Sequence, residues 1–81
     1  MAITTENKAA LAKRVGANIK KARQRKDMNQ NQVGLAIGCS GQRVADREKA
    51  SALPSLHFLV ALCRVLDVTL NWLVFGKKDA K

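Results

Sequence analysis

The stretch NQNQVGLAIGCSGQRVADREK, residues 29–49, reads as two short helices hinged at Gly38. Asn29 is a helix-capping residue, and Gln32 three positions on completes an Asn-x-x-Gln capping box. Val33, Ala36 and Ile37 then form an inward stripe at helical spacing. Gly38 stands where the end of a helix calls for a left-handed residue. Ser40 caps a further helix, roughly Gly41 to Lys49, whose side chains are mostly polar and basic.

Outward from this pair the same signals repeat. Thr4 or Thr5 caps a first helix that runs to about Lys26. Leu11, Val15, Ile19 and Ala22 mark its buried face, and Lys13, Arg14, Lys20, Lys21 and Arg25 line the other. Gly16 weakens this helix locally and leaves room for a neighbour to approach. Downstream, residues 50–54 form a loop. Ser55 opens a fourth helix with Leu56, Leu59, Val60 and Cys63 inward, and Asp67 breaks it. Thr69 caps a short fifth helix holding Leu70, Trp72, Leu73, Val74 and Phe75, and Gly76 stops it. Residues 1–76 are expected to form one domain, with 1–14 extending helix one and 77–81 a disordered basic tail.

Composition narrows the class. Hydrophobic residues make up 47% of the 81, yet aromatics only 4%. Ala, Leu and Val favour close-packed helices over a sheet, and no Asn-Gly or Asp-Gly hairpin signal is present. The expected class is all-α, a compact bundle of five helices. Fifteen Lys and Arg against six Asp and Glu give a net charge of +9. That imbalance implies an anionic partner, and eight of the cations fall within residues 1–27. No apolar run is long enough for a membrane span, and no signal peptide is visible. Cys39 and Cys63 are expected to be buried free thiols of a cytoplasmic protein. One His and two dispersed Cys supply no zinc site, and no cofactor motif appears. Without a nucleophile–base grouping or a phosphate loop, an enzyme is not indicated. His57 is expected to be a surface or packing residue.

The ordered set of motifs resembles the phage repressor and Cro-like (Xre-like) helix-turn-helix family over about residues 15–76. Val15-Gly16, Ile19 and Arg23 look like its first helix. Gln30, Val33, Ile37, Gly38, Ser40, Val44 and Glu48 fall at its spacing. Pro54-Ser55-Leu56 looks like the start of its fourth helix, and Asn71-Trp72-Leu73 with Phe75-Gly76 like its closing helix. The resemblance implies a lambda-repressor-like bundle that binds a DNA operator as a homodimer. The chain departs from the family at three positions. Gly41 opens the third helix where a DNA-contacting side chain is common, Arg47 stands at a usually apolar position, and Ala50 replaces a frequent Gly.

Within that frame the third helix has two inward anchors, Val44 and Glu48. A carboxylate is costly to bury unless paired, and the resemblance implies that Arg23 pairs with it; the alternative is an exposed Glu48 with no fixed partner. Gln42, Ala45, Asp46 and Lys49 then point outward, with Arg43 at the edge. Gln42 can bond bidentately to adenine, Asp46 can accept from cytosine N4, and Arg43 can reach guanine or a phosphate. Ordinary helix-surface polarity is the bland alternative for Gln42 and Asp46. Asn29 and Gln30 sit at a helix N-terminus suited to a phosphate. Ser40 and Lys49 are further phosphate candidates. Gly41 and Arg47 stay open between DNA contact and packing; the Arg47 stem is long enough to cover apolar surface. Trp72, Val74 and Phe75 are more than one helix of a small bundle buries inward; core is the more frequent fate of any one of them, and the surplus, joined by Leu53, marks a dimer interface.

The leading function is therefore a sequence-specific transcription regulator of the repressor type, nucleoid-associated and of prophage or plasmid character, with double-stranded DNA and a second copy as partners. A protein partner such as an antirepressor or a toxin is the first alternative: an antitoxin that regulates its own synthesis through DNA. A non-specific basic binder of nucleic acid is the second.

Overall fold

A computed structural model describes residues 7–49 and 53–76. Its helices are α1 (Lys8–Arg25), α2 (Gln30–Ile37), α3 (Gly41–Glu48), α4 (Leu56–Leu66) and α5 (Leu70–Phe75), and no strand occurs among the described residues. The all-α expectation holds. None of these helices is long and apolar enough to cross a membrane.

Each helix starts where a side chain supplies the oxygen that its first turn lacks. Asn29, Ser40, Ser55 and Thr69 all accept a backbone N–H from three residues on. The Asn29–Gln32 capping box is complete, with both reciprocal bonds at 2.8 Å. Only the first cap differs from expectation. Asn7 is extended and accepts from Ala10 N at 2.9 Å, so α1 begins at Lys8. Thr4 and Thr5 lie outside the described residues, as do Ala50 and the 77–81 tail. Left-handed residues close the other ends: Gly38 at φ 81°, Gly76 at φ 73° and Asp67 at φ 57°. Asp27, also left-handed, turns the chain between α1 and α2. Asp tolerates that conformation better than most residues.

Val15, Ile19, Ala22, Val33, Val44, Leu59, Leu62, Leu66 and Leu73 form the core. α1 is its spine, packing against α3, α4 and α5, while α2 packs against α3 and α4. The α4 pattern is rotated from expectation. Leu59, Leu62 and Leu66 point inward, while Leu56 and Val60 are exposed. A run as apolar as LHFLVALCRVL offers helical stripes on more than one face, and contact with α2 and α5 selects one. Ala36 is likewise exposed, and Gly34 is the residue buried beside Val33. Both thiols are free, but half-buried rather than buried. Burial pushes the Cys63 thiol above its ordinary value.

Candidate nucleic-acid interface

α3 is seated at both ends by missing side chains. A Cβ on Gly16 would lie 2.7 Å from the Arg47 carbonyl oxygen and 2.8 Å from that of Glu48. The weak point in α1 is thus where the end of α3 crosses it. At the other end, a Cβ on Gly41 would collide with the Asn31 side chain. A side chain at Gly41 would therefore require Asn31 of α2 to move aside.

Charge locks the same helix. Arg23 Nε donates to Glu48 Oε2 at 2.7 Å, and Arg23 Nη2 to Glu48 Oε1 at 3.2 Å. Gln30 Nε2 donates to Glu48 Oε1 at 3.1 Å, and Arg23 Nη1 donates to the Met28 carbonyl at 2.9 Å. The two charged side chains are only 12% and 5% exposed. Such a pair is tolerated away from water because its lone pairs and N–H groups are satisfied. The alternative of an exposed, unpartnered Glu48 is therefore wrong. Val44, fully buried, supplies the apolar anchor.

With α3 fixed this way, Gln42, Arg43 and Lys49 are exposed and Asp46 is half-buried. Ala45 is buried, not outward as its spacing implied, because α1 and the start of α2 close over it. Gln42 Nε2 donates to Asp46 Oδ1 at 2.9 Å. The two candidate readers therefore form one i, i+4 unit, a spacing at which helix side chains meet. Arg43 stands beside them, its backbone N–H held by the Ser40 hydroxyl oxygen at 3.2 Å.

Of the four phosphate candidates, Asn29 and Ser40 use a side-chain oxygen as a cap. Gln30 spends one amide N–H on Glu48 and keeps a second. The first-turn N–H groups of Gln30 and Asn31 have no partner within their own helix, which is the usual state of a helix start. Arg47 is half-buried and lines a cleft of about 670 Å³ with Ile37, Cys39, Arg43, Leu53 and Phe58. Ser55, His57 and Ala61 at the start of α4 line the same cleft.

α5 presents a different surface. Leu73 is buried, Trp72 and Val74 are half-buried, and Phe75 is 56% exposed. Arg25 stacks 5.0 Å over the Trp72 ring and Arg14 5.9 Å over Phe75. Arg14 Nε donates to the Val74 carbonyl at 2.8 Å, and Asn18 Nδ2 to that of Leu73 at 2.9 Å. Leu53 does not join this face. It lines the cleft beside Arg47, whereas Trp72 and Phe75 lie against α1. The sequence reading missed Asn18 entirely. Its signal was a polar residue inside the Val15–Ile19–Ala22 stripe, where it can stay buried only by bonding to something.

A helix-turn-helix family model matches residues 19–73. Among solved structures, the fold is similar to the phage P22 c2 repressor in complex with a synthetic operator, at 24% identity and a TM-score of 0.73, covering 78% of this chain and 96% of that one. It is similar to the restriction-modification controller protein C.AhdI from Aeromonas hydrophila, at 22% identity and a TM-score of 0.74, covering 79% and 97%. A hypothetical transcription factor from Neisseria, NHTF, gives 16% identity and a TM-score of 0.77, covering 93% and 86%. No curated protein sequence matches the chain.

Proposed function

The chain belongs to the helix-turn-helix family of the phage repressor and Cro-like kind, and on that premise we propose that it represses transcription as a homodimer on a two-fold symmetric operator, with α3 in the major groove. One observation carries this reading. α3 is fixed to α1 and α2 by Val44, Glu48 and two glycine contacts, yet it keeps Gln42, Arg43 and Asp46 on its open side. A helix that served only the bundle would have no need of so firm a seat beneath an uncovered polar face.

The roles divide by chemistry. Gln42 and Asp46 offer donors and acceptors to base edges, and Arg43 reaches a guanine or a phosphate. Gln30, Asn29, Ser40 and Lys49 face the backbone, which orients the domain without reading sequence. The exposed apolar side chains of α5, Phe75 foremost, join two copies. Solved relatives support the reading: the P22 protein is named a repressor and was crystallised on an operator. A bound repressor then acts by occupying its site.

Selection of binding sites from random DNA, with the oligomer mass measured in parallel, tests the proposal. The expected result is a symmetric site with half-sites about one helical turn apart, ~34–36 Å. Failure to enrich any sequence overturns it. A dimer that neutralises about six phosphates should also show a log–log salt slope near −5.

A further inference from the structure

The long α1 has two edges. One meets α5 through Arg14, Asn18 and Arg25. The other meets the C-terminal end of α3 at Gly16 and Arg23. Lys13 and Lys20 lie on this second edge, one turn to either side of Gly16. Seven residues separate them, so at 3.6 residues per turn they differ by only ~20° around the helix and stand ~10.5 Å apart along it.

Lys49, the residue capping α3, completes the arrangement. It lines one notch with Asn7, Ala10 and Lys13. It also lines a second notch with Lys20, Asn29 and Gln30. Three ammonium groups therefore border one continuous strip that runs from the start of α2, past the end of α3, to the start of α1. Lys13, Lys20 and Lys49 are all exposed. Among the described residues, Glu48 is the one carboxylate lining these notches, and both of its oxygens are already taken by Arg23 and Gln30. Among the described residues the recorded ion pairs are Arg23–Glu48 and Lys26–Asp67, and neither neutralises these lysines. Three exposed like charges beside a saturated carboxylate present a positive surface that favours an external polyanion.

We infer that Lys13, Lys20 and Lys49 form a phosphate-binding track that carries the DNA contact beyond the helix-turn-helix, along the N-terminal half of α1. The inference rests on the DNA-binding reading above and extends it to residues upstream of the helix pair. The spacing fits one strand of a duplex. With one phosphate per ~3.4 Å of duplex axis on each strand, two lysines ~10.5 Å apart are far enough separated to meet different phosphates. The track lies next to the first turn of α2, so the backbone contacts of Gln30 and Asn29 continue into it. Its contribution is independent of base sequence.

The test uses the full chain with the operator obtained by selection, and the same duplex scrambled. Affinity is measured against salt for wild type, Lys13→Gln, Lys20→Gln and Lys21→Gln. Lys21 is an exposed α1 lysine about 80° away from Lys13, toward the α5 edge. Lys13→Gln and Lys20→Gln should each weaken both duplexes by a similar factor at low salt. Each should flatten the log–log slope by about 1.8, one phosphate per subunit at ~0.9 apiece. Lys21→Gln should leave the slope as it was. The inference is overturned if all three substitutions give the same slope. Retained preference for the operator over the scrambled duplex shows that such a failure belongs to the track alone; loss of that preference in wild type would instead sink the operator reading.

Discussion

α3 and α5 are both short, of eight and six residues, and neither would persist as an isolated helix in water. Both start at a hydroxyl cap, and both lean on α1, on opposite edges. What differs is how they are held and what they leave uncovered. α3 is fixed by a nearly buried ion pair and two contacts that exclude a Cβ, and it exposes amide, guanidinium and ammonium groups. α5 is fixed by Leu73 and by side chains of α1 that bond to its last carbonyls, and it exposes Leu70 and Phe75. The polar helix is held rigidly where aim matters. The apolar helix is held at its end, and its open face suits another apolar face.

Breaking the α3 seat should have the largest effect. Glu48→Ala leaves the Arg23 guanidinium desolvated without its partner, and the expected loss is about 3–5 kcal/mol of stability. Urea or thermal denaturation measures it directly. For a small domain this is a large part of the total. Gln30→Ala removes a single bond of the same network and should lose only about 1 kcal/mol. Similar losses in the two variants would mean that the Arg23–Glu48 pair does not fix α3.

The corresponding break at α5 is Asn18→Ala. It strips the buried Leu73 carbonyl of its donor, and the expected loss is about 1–3 kcal/mol. Because α5 carries the proposed dimer contact, the variant should also dimerise less readily. Recognition by each half should survive, so a half-site duplex should be bound as before. Equal loss on half-site and full-site DNA would show that the two helices are not separable.

How much of this was legible follows from the range of the forces involved. Caps at Asn29, Ser40, Ser55 and Thr69 join residues three apart, so their chemistry can be read directly from the chain. The left-handed stops at Gly38 and Gly76 are equally local. The Arg23–Glu48 pair spans 25 positions and was expected only through a family likeness. Asn18 bonding to Leu73, 55 positions away, had no such guide. Nor could spacing alone decide that Ala45 is covered while Leu56 and Val60 are not, since that depends on how neighbouring helices cross. Nor could spacing show that the Asn31 side chain of α2 lies against Gly41. The reader face was legible as a set of residues, but not the bond between Gln42 and Asp46, because a polar i, i+4 pair is indistinguishable in sequence from two separate surface residues.

A gentler test of α5 is Phe75→Ser. The ring is more than half exposed, so stability should change by about 1 kcal/mol or less. Sedimentation should nevertheless show the dimer dissociation constant rising by about tenfold or more, equivalent to ~1.4 kcal/mol. An unchanged dimer would remove Phe75 from the interface and leave its exposure to be covered by Arg14 alone.

The smallest expected stability change, and the sharpest test of α3, comes from Gln42 and Asp46. An exposed i, i+4 pair contributes about 0.2–0.5 kcal/mol, so neither Gln42→Ala nor Asp46→Ala should disturb folding. Their effect on operator binding separates two mechanisms. If Asp46 accepts from a base itself, the two losses, each about 1–3 kcal/mol on the preferred site, should add in the double variant. If Asp46 instead orients the Gln42 amide through their 2.9 Å bond, its removal should matter only while Gln42 is present. The double variant would then bind no worse than Gln42→Ala. In either case the bond leaves the Gln42 carbonyl oxygen and one N–H free to pair with adenine, so the double variant, not the single ones, decides between them.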